Sequence, residues 1–167
     1  FTYKLIKNKI SILKLKNLKN KKLLTDETAI SASIIAKDSK IRKIVHKFQQ
    51  KWAYNPPKMY QGSVLDGRDI VTVQVKDAMF KFFITANIKI RARRRYEEYK
   101  KLKKRISYSE VLKSLKNRDK SDRERKHGPL IKTKDSIFIN TSKLSKKAYF
   151  LKIKNIIDKK LKINGNI

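Results

Sequence analysis

The stretch Lys81-Phe82-Phe83-Ile84-Thr85-Ala86 is a continuous apolar run of strand length, the kind buried on both faces of a parallel sheet. Ser136-Ile137-Phe138-Ile139-Asn140 has the same character further along. Between them lie a highly charged helical segment from about Ile88 to Lys104 and a second helical pattern from Ser107 to Lys126. The second has Ser109 as candidate cap and Val111, Leu112 and Leu115 as its buried stripe. Leu144 to Leu161 reads as an amphipathic helix. Upstream, Gly62 to Asp66 is a short apolar run and Ile70 to Val75 a second extended stretch. Ile34, Ile35, Ile41, Ile44, Val45, Phe48 and Trp52 fall three, four or seven apart, so one or two helices follow the Thr25-Asp26-Glu27 start and end at Asn55-Pro56-Pro57. Residues 1–24 alternate lysine with Leu and Ile and read as short strands or an irregular arm. Strands alternating with helices give an α/β fold. The strands are expected at 63–66, 81–86 and 136–140, parallel to one another, with Phe83, Ile84, Phe138 and Ile139 in the core.

Composition narrows the class. A chain of 167 residues, 40% of them hydrophobic, is long enough for a real core and too apolar for disorder. There is no cysteine and there are two histidines, which excludes disulfides and thiolate metal sites and leaves no metal expected. No apolar run reaches membrane-spanning length. Forty-five Lys and Arg face fourteen Asp and Glu, a net charge of +31. Self-repulsion at that density favours a polyanionic partner, nucleic acid first, through phosphate neutralisation and counterion release. The excess of Lys, Ile and Asn also fits A+T-rich coding. The chain opens on Phe1, so it reads as processed or as beginning downstream of its true start.

Leu65-Asp66-Gly67-Arg68-Asp69-Ile70 carries the chemistry. A guanidinium and a carboxylate just beyond a strand stand where α/β folds bind ligands. An Arg fork suits phosphate, and the Asp can accept from sugar hydroxyls or hold an Arg in place. A structural salt bridge explains the tripeptide alone equally well. Four further segments accompany it: Ala32-Ser33 with Ala36 and Arg42; Arg91-Ala92 with Arg94-Arg95-Tyr96; Arg118-Asp119 with Asp122, Arg125 and Pro129-Leu130; and Asp135-Ser136-Ile137-Phe138-Ile139-Asn140-Thr141-Ser142.

In this order and spacing, over roughly residues 30 to 160, the motifs resemble those of bacterial-type cytidylate kinases, over the C-terminal two-thirds of that family's length. The resemblance implies a partial nucleoside-monophosphate-kinase fold: a parallel sheet flanked by helices, lacking the P-loop strand and first helix. Residues 1–60 would be a remnant of the acceptor-binding region with a basic N-terminal arm, and residues 61–167 the core and lid remnant with a basic C-terminal helix. It also implies that Ser33, Arg42, Arg68, Asp69, Arg118, Asp122 and Arg125 line the CMP site. Arg91 and Arg95 look like lid arginines that approach the transferred phosphoryl group; a solvated basic helix is the plain alternative for these two.

The family's donor loop, G-x-x-x-x-G-K followed by Ser or Thr, cradles triphosphate on backbone N–H groups. Gly62 and Gly67 have the glycine spacing, but Arg68-Asp69 follows them, and an Asp there repels a triphosphate. Val71-Thr72, Lys76-Asp77-Ala78 and Asn140 are further departures from the family pattern. The leading expectation is therefore a pseudoenzyme: a non-catalytic homologue serving as a structural, rRNA-binding subunit of a mitochondrial or other organellar ribosome, with no catalytic residues and no cofactor. Its partners would be RNA, other protein subunits of a large assembly and a chain filling the vacant central-strand slot. The RNA contacts would be Lys14, Lys16, Lys21, Lys22, Arg93, Arg94, Lys100, Lys101, Lys103, Lys104, Lys143, Lys146, Lys147 and Lys152. The alternative is a cytidylate kinase, converting ATP and CMP to ADP and CDP with Mg2+, active only with a P-loop segment missing from this chain.

Overall fold

The computed structural model describes residues 2–14, 17, 20, 23 and 25–163. The chain divides into two compact units, residues 1–66 and 67–167.

The first unit is helical. Helix α1 (Tyr3–Ser11), α2 (Asp26–Ile35) and α3 (Ser39–Tyr54) each start on a residue whose side chain accepts from a backbone N–H of the first turn. Asp38 does the most: its Oδ1 accepts from Lys40 N at 2.8 Å and Ile41 N at 3.1 Å, and its Oδ2 from the Tyr3 hydroxyl at 2.9 Å. The Ile41 N–H and the Tyr3 hydroxyl hold the Asp38 carboxyl below the usual carboxylate range and join α1 to α3. Residues 3–11, expected as strand or arm, are instead helix. Leu5 and Ile6, then Ile10, recur near the 3.6-residue period, and Thr2 supplies the cap. The expectation for Lys16, Lys21 and Lys22 lies outside the described residues.

Residues 63–66 form no strand. Val64 is fully exposed and the Ser63 hydroxyl donates to Trp52 O at 2.7 Å. An apolar tetrapeptide becomes a strand only where a neighbour accepts its backbone, and this one has no ladder partner among the described residues.

In the second unit, β1 (Phe82–Thr85) and β2 (Ile137–Asn140) pair in parallel, Phe82 opposite Ile137 and Thr85 opposite Asn140. Ile137 N→Lys81 O and Thr141 N→Thr85 O, both 2.8 Å, extend the ladder at each end. At its start the Lys81 ammonium pairs with Asp135, and that hydrogen bond, with one from Thr133, draws the Asp135 carboxyl down to about 2. Ile139 is fully buried, Phe83 partly so, whereas Ile84 and Phe138 are half exposed, at 50% and 51%. The expected core positions on this sheet thus reduce to one fully buried side chain.

Helices α4 (Ile88–Lys101) and α5 (Tyr108–Glu124) pack against each other around Ala92, Tyr99 and Val111, flanked by Tyr96, Ile106, Leu112 and Leu115. Ala92 is fully buried; having only a methyl, it lets the helices approach. The cap of α5 is Ser107 rather than Ser109. Its hydroxyl accepts from Glu110 N at 3.2 Å while Glu110 Oε2 accepts from Ser107 N at 2.8 Å, a reciprocal capping box. Residues 70–75, expected as extended, open instead with a π-helical turn (Ile70–Gln74) closed by Val75 N→Ile70 O at 2.7 Å. Helix α6 (Lys146–Ile163) returns Lys160 to Met79 O at 3.0 Å. The α/β class and the small parallel sheet flanked by helices are those of a partial nucleotide-kinase fold.

Replacing Ile139 by Ala should lower the unfolding free energy of the full chain by about 2–5 kcal/mol in urea titration. Phe138→Ala, on the half-exposed face, should cost clearly less. Equal losses would show that both faces of the sheet are enclosed in solution.

Candidate functional site

The acids are few, so their surroundings locate the site. Asp69 is 7% exposed at the entrance to the π turn. Its backbone oxygen accepts from Val73 N at 2.9 Å and its Oδ1 from Gln74 Nε2 at 3.2 Å. π turns recur at functional positions because they re-aim side chains. Arg125 Nη2 stands 3.7 Å from Asp69 Oδ2, and Arg125 Nε donates to Gly128 O at 2.5 Å. Gly128 itself has φ +60°, and a Cβ there would fall 2.5 Å from Asp69 Oδ2. Only glycine allows both the left-handed backbone and the close carboxylate.

One turn earlier on α5, Asp122 gathers three guanidinium groups. Arg68 Nε lies 3.2 Å away, Arg118 Nε 3.9 Å and Arg125 Nη1 4.0 Å. The Asp122 carbonyl accepts from Leu130 N at 2.7 Å, folding the Pro129-Leu130 segment back onto the helix. Asp122 Oδ2 and Arg125 Nη2 are closed off from solvent without a hydrogen bond among the described residues. Both atoms are held by charge instead: Arg68 and Arg118 stand at Asp122 Oδ2, and Asp69 at Arg125 Nη2. Arg68 and Arg118 are 38% and 61% exposed; their pairs are loose enough to exchange for an anion at little cost.

Beyond the C-terminal end of β1 an open cleft of about 480 Å³ is lined by Thr85, Ala86, Ile88, Arg91, Lys116, Asp119, Lys120, Arg123 and Glu124. Arg91 donates from Nη1 and Nη2 to the two Asp119 oxygens at 2.9 and 2.6 Å, and from Nε to Ala86 O at 2.9 Å. The hydrogen bond from Arg91, reinforced by the charges of Arg91, Arg123 and Arg68, holds the Asp119 carboxyl below its ordinary 3.8. Arg95 points elsewhere: it pairs with Glu98 at 3.1 Å and lies 4.5 Å from the Tyr99 ring centroid.

Of the residues expected to form the site, the structure thus brings together Arg68, Asp69, Arg118, Asp122 and Arg125, and sets Arg91 at the neighbouring cleft. Arg42 belongs to the first unit, where Nη2 and Nε cap Ala36 O at 2.8 and 3.2 Å. Ser33 lies on α2, its side chain outside the described set. Asp119, Gln74 and Gly128 were missed as functional positions. Asp119 sits within the Arg118-Asp119 motif and could have been found there; nothing local marks Gln74.

The family model described as "Cytidylate kinase" matches residues 2–159. The chain belongs to the cytidylate kinase family. It is 38% identical over 139 residues to a cytidylate kinase of Fervidobacterium nodosum, covering 83% of this chain and 61% of that protein. Against the Bartonella tribocorum cytidylate kinase it is 40% identical over 142 residues, 85% and 64% of the two chains. With one from Clostridium botulinum it shares 48% over 96 residues, 58% and 41%. The chain therefore spans about three-fifths of the length of the first two of these kinases.

These matches overturn the expectation of a ribosomal, rRNA-binding subunit and the partners that went with it. The relatives are named as nucleotide kinases along most of this chain, and none of the matches points to a ribonucleoprotein. Part of the charge assigned to RNA contacts is engaged within the fold. Arg94, counted as an RNA contact, donates to Thr141 Oγ1 at 3.2 Å, Thr141 O at 2.7 Å and Leu144 O at 3.1 Å. Lys100 and Lys104 lie 5.8 and 5.0 Å from the Tyr96 and Tyr99 ring centroids. Lys14, Arg93, Lys101, Lys103, Lys143, Lys146, Lys147 and Lys152 are simply exposed.

Two measurements check this geometry. Arg91→Met should raise the Asp119 pKa, followed by carboxylate NMR, back toward 3.8. Because the folded value is depressed, the pair's stabilisation is complete above pH 3.8 and is lost as pH falls through the lower folded value; the variant should lose that acid-side dependence. Gly128→Ala should destabilise the chain by roughly 1–3 kcal/mol, the cost of a strained left-handed residue, and displace the Asp69 resonances. An unshifted Asp69 would contradict the close approach.

Proposed function

We propose that this chain supplies the acceptor side of a cytidylate kinase, binding CMP for phosphoryl transfer from ATP. The observation that carries the reading is the convergence of Arg68, Arg118 and Arg125 on Asp122, beside the buried Asp69. In this reading the exposed guanidinium groups of Arg68 and Arg118 turn to the CMP phosphate, where a planar fork gives two hydrogen bonds to one oxyanion. Arg125 and Asp122 fix the nucleoside, and Asp69 holds Arg125. The identity with cytidylate kinases over most of the chain supports the choice of CMP.

Transfer also needs a cradle for the donor triphosphate. These 167 residues contain no G-x-x-x-x-G-K segment, so the reading assigns ATP binding to a P-loop segment outside them. Among the described residues no cluster of three or more metal-ligating side chains could hold a metal ion. Mg2+ in such enzymes is held largely by substrate phosphates with one or two carboxylates. What this chain contributes is position and charge: it orients the acceptor phosphate and neutralises charge that builds up in transfer.

Calorimetric titration of the chain with CMP should give saturable binding to a single site. Arg125→Ala should weaken it roughly tenfold or more, since a hydrogen bond to a charged group contributes about 1.5–3 kcal/mol. The chain alone should not phosphorylate CMP from ATP; adding a separately expressed P-loop segment should restore turnover. Absence of CMP binding, or binding indifferent to Arg125, would refute the acceptor reading.

A further inference from the structure

We infer that Asp119 is a positioning residue for Arg91, holding its guanidinium at the cleft beyond β1 so that its remaining N–H groups serve the phosphoryl group transferred to CMP. The inference rests on the cytidylate kinase reading above.

The geometry is over-determined in a way that a surface ion pair is not. A guanidinium has five N–H donors in one plane. Three are spent here: one from each Nη on the two Asp119 oxygens, and Nε–H on Ala86 O. The acceptors come from different elements, a carboxylate on α5 and the carbonyl just past β1, so together they fix both the place and the plane of the group. One N–H on each Nη is left over by these contacts. Asp119 is the deeper of the pair, 13% exposed against 31% for Arg91, and Arg91 lines the cleft along with Lys116, Lys120 and Arg123. Free arginine side chains carry about 2 kcal/mol of rotamer entropy; a guanidinium already locked in place need not surrender it when phosphate arrives. Arg123 Nη2, 3.8 Å from Asp119 Oδ2, adds charge without a second fork, so Arg91 alone is aimed.

Positioning and simple charge balance predict opposite signs. If Asp119 only offsets positive charge in the cleft, removing its charge makes the cleft more attractive to an anion. If it aims Arg91, removing it weakens the hold on the added phosphoryl despite the extra net positive charge. CDP carries that group and CMP does not, so the ratio of their affinities isolates it. Titrations of the full chain with CDP and CMP should show wild type preferring CDP. Asp119→Asn, nearly the same shape without the charge, should lose that preference by roughly tenfold, the scale of one charge-assisted hydrogen bond, as should Arg91→Ala. Asp119→Glu should recover part of it, and circular dichroism melting should establish that each variant is folded at the assay temperature. An Asp119→Asn chain that keeps or strengthens its CDP preference would overturn the inference while leaving the acceptor site standing, as would a wild type that binds CMP with no preference for CDP. A folded wild type that binds neither nucleotide would overturn both.

Discussion

Two arginines on one helix hold the second unit in its working shape. Arg91 and Arg94 leave α4 three residues apart, on neighbouring positions of one helix face, and each takes the chain just beyond one strand: Arg91 the carbonyl of Ala86 past β1, Arg94 the carbonyl and hydroxyl of Thr141 past β2. Thr141 in turn donates from both N and Oγ1 to Thr85 O, at 2.8 and 3.1 Å. A sheet of two four-residue strands is too small to hold its own register against slippage. Here the register is fixed from outside, by side chains whose spacing on α4 matches the separation of the two strand ends. The cleft opens at this edge, so the same contacts that stabilise the sheet also place Arg91 on the cleft wall.

The motif residues are legible in the sequence because their roles are local or arise from fixed spacing. The apolar runs at 81–86 and 136–140 announced parallel strands, and the motif spacing of 118–125 put Arg118, Asp119 and Asp122 on the last turns of one helix with Arg125 at its C-cap. What was not legible depended on a partner. The Gly62 to Asp66 run is as apolar as many strands, but strand formation requires a neighbour's backbone, which composition does not reveal. Ile70 to Gln74 has the β-branched content of a strand and yet wraps into a π turn, because the Asp69 carbonyl collects Val73 N at its entrance while Val75 N closes onto Ile70 O. The cap at Ser107 was missed in favour of Ser109, although Glu110 three residues on completes the capping pattern.

Charge misled most. A sum of +31 describes the field at a distance, whereas function depends on which charges are held and where. Arg94 and Arg95 are engaged within the fold, and several lysines lie over aromatic rings. Solvated lysines on α6 and in the segments around it are compatible with a nucleotide enzyme as readily as with an RNA scaffold, since exposed charges interact weakly with one another through water and salt.

In a chain with forty-five basic residues the acids are the informative minority. Any lysine can be lost or gained on the surface with little effect on the local field, but fourteen carboxylates must serve every position where a cation has to be fixed. Asp69, Asp119 and Asp122 are among the more buried acids, and each faces at least one arginine from another part of its unit: Arg125, Arg91 and Arg68 respectively. Burying a carboxylate is costly unless it is paired, so a basic protein that places three of its few acids this way has concentrated its structural constraint there. The three lie where α5 meets the Gly67-Arg68-Asp69 turn and the end of β1, and it is this placement of acids, rather than the excess of bases, that shows where the fold holds its cations in fixed positions.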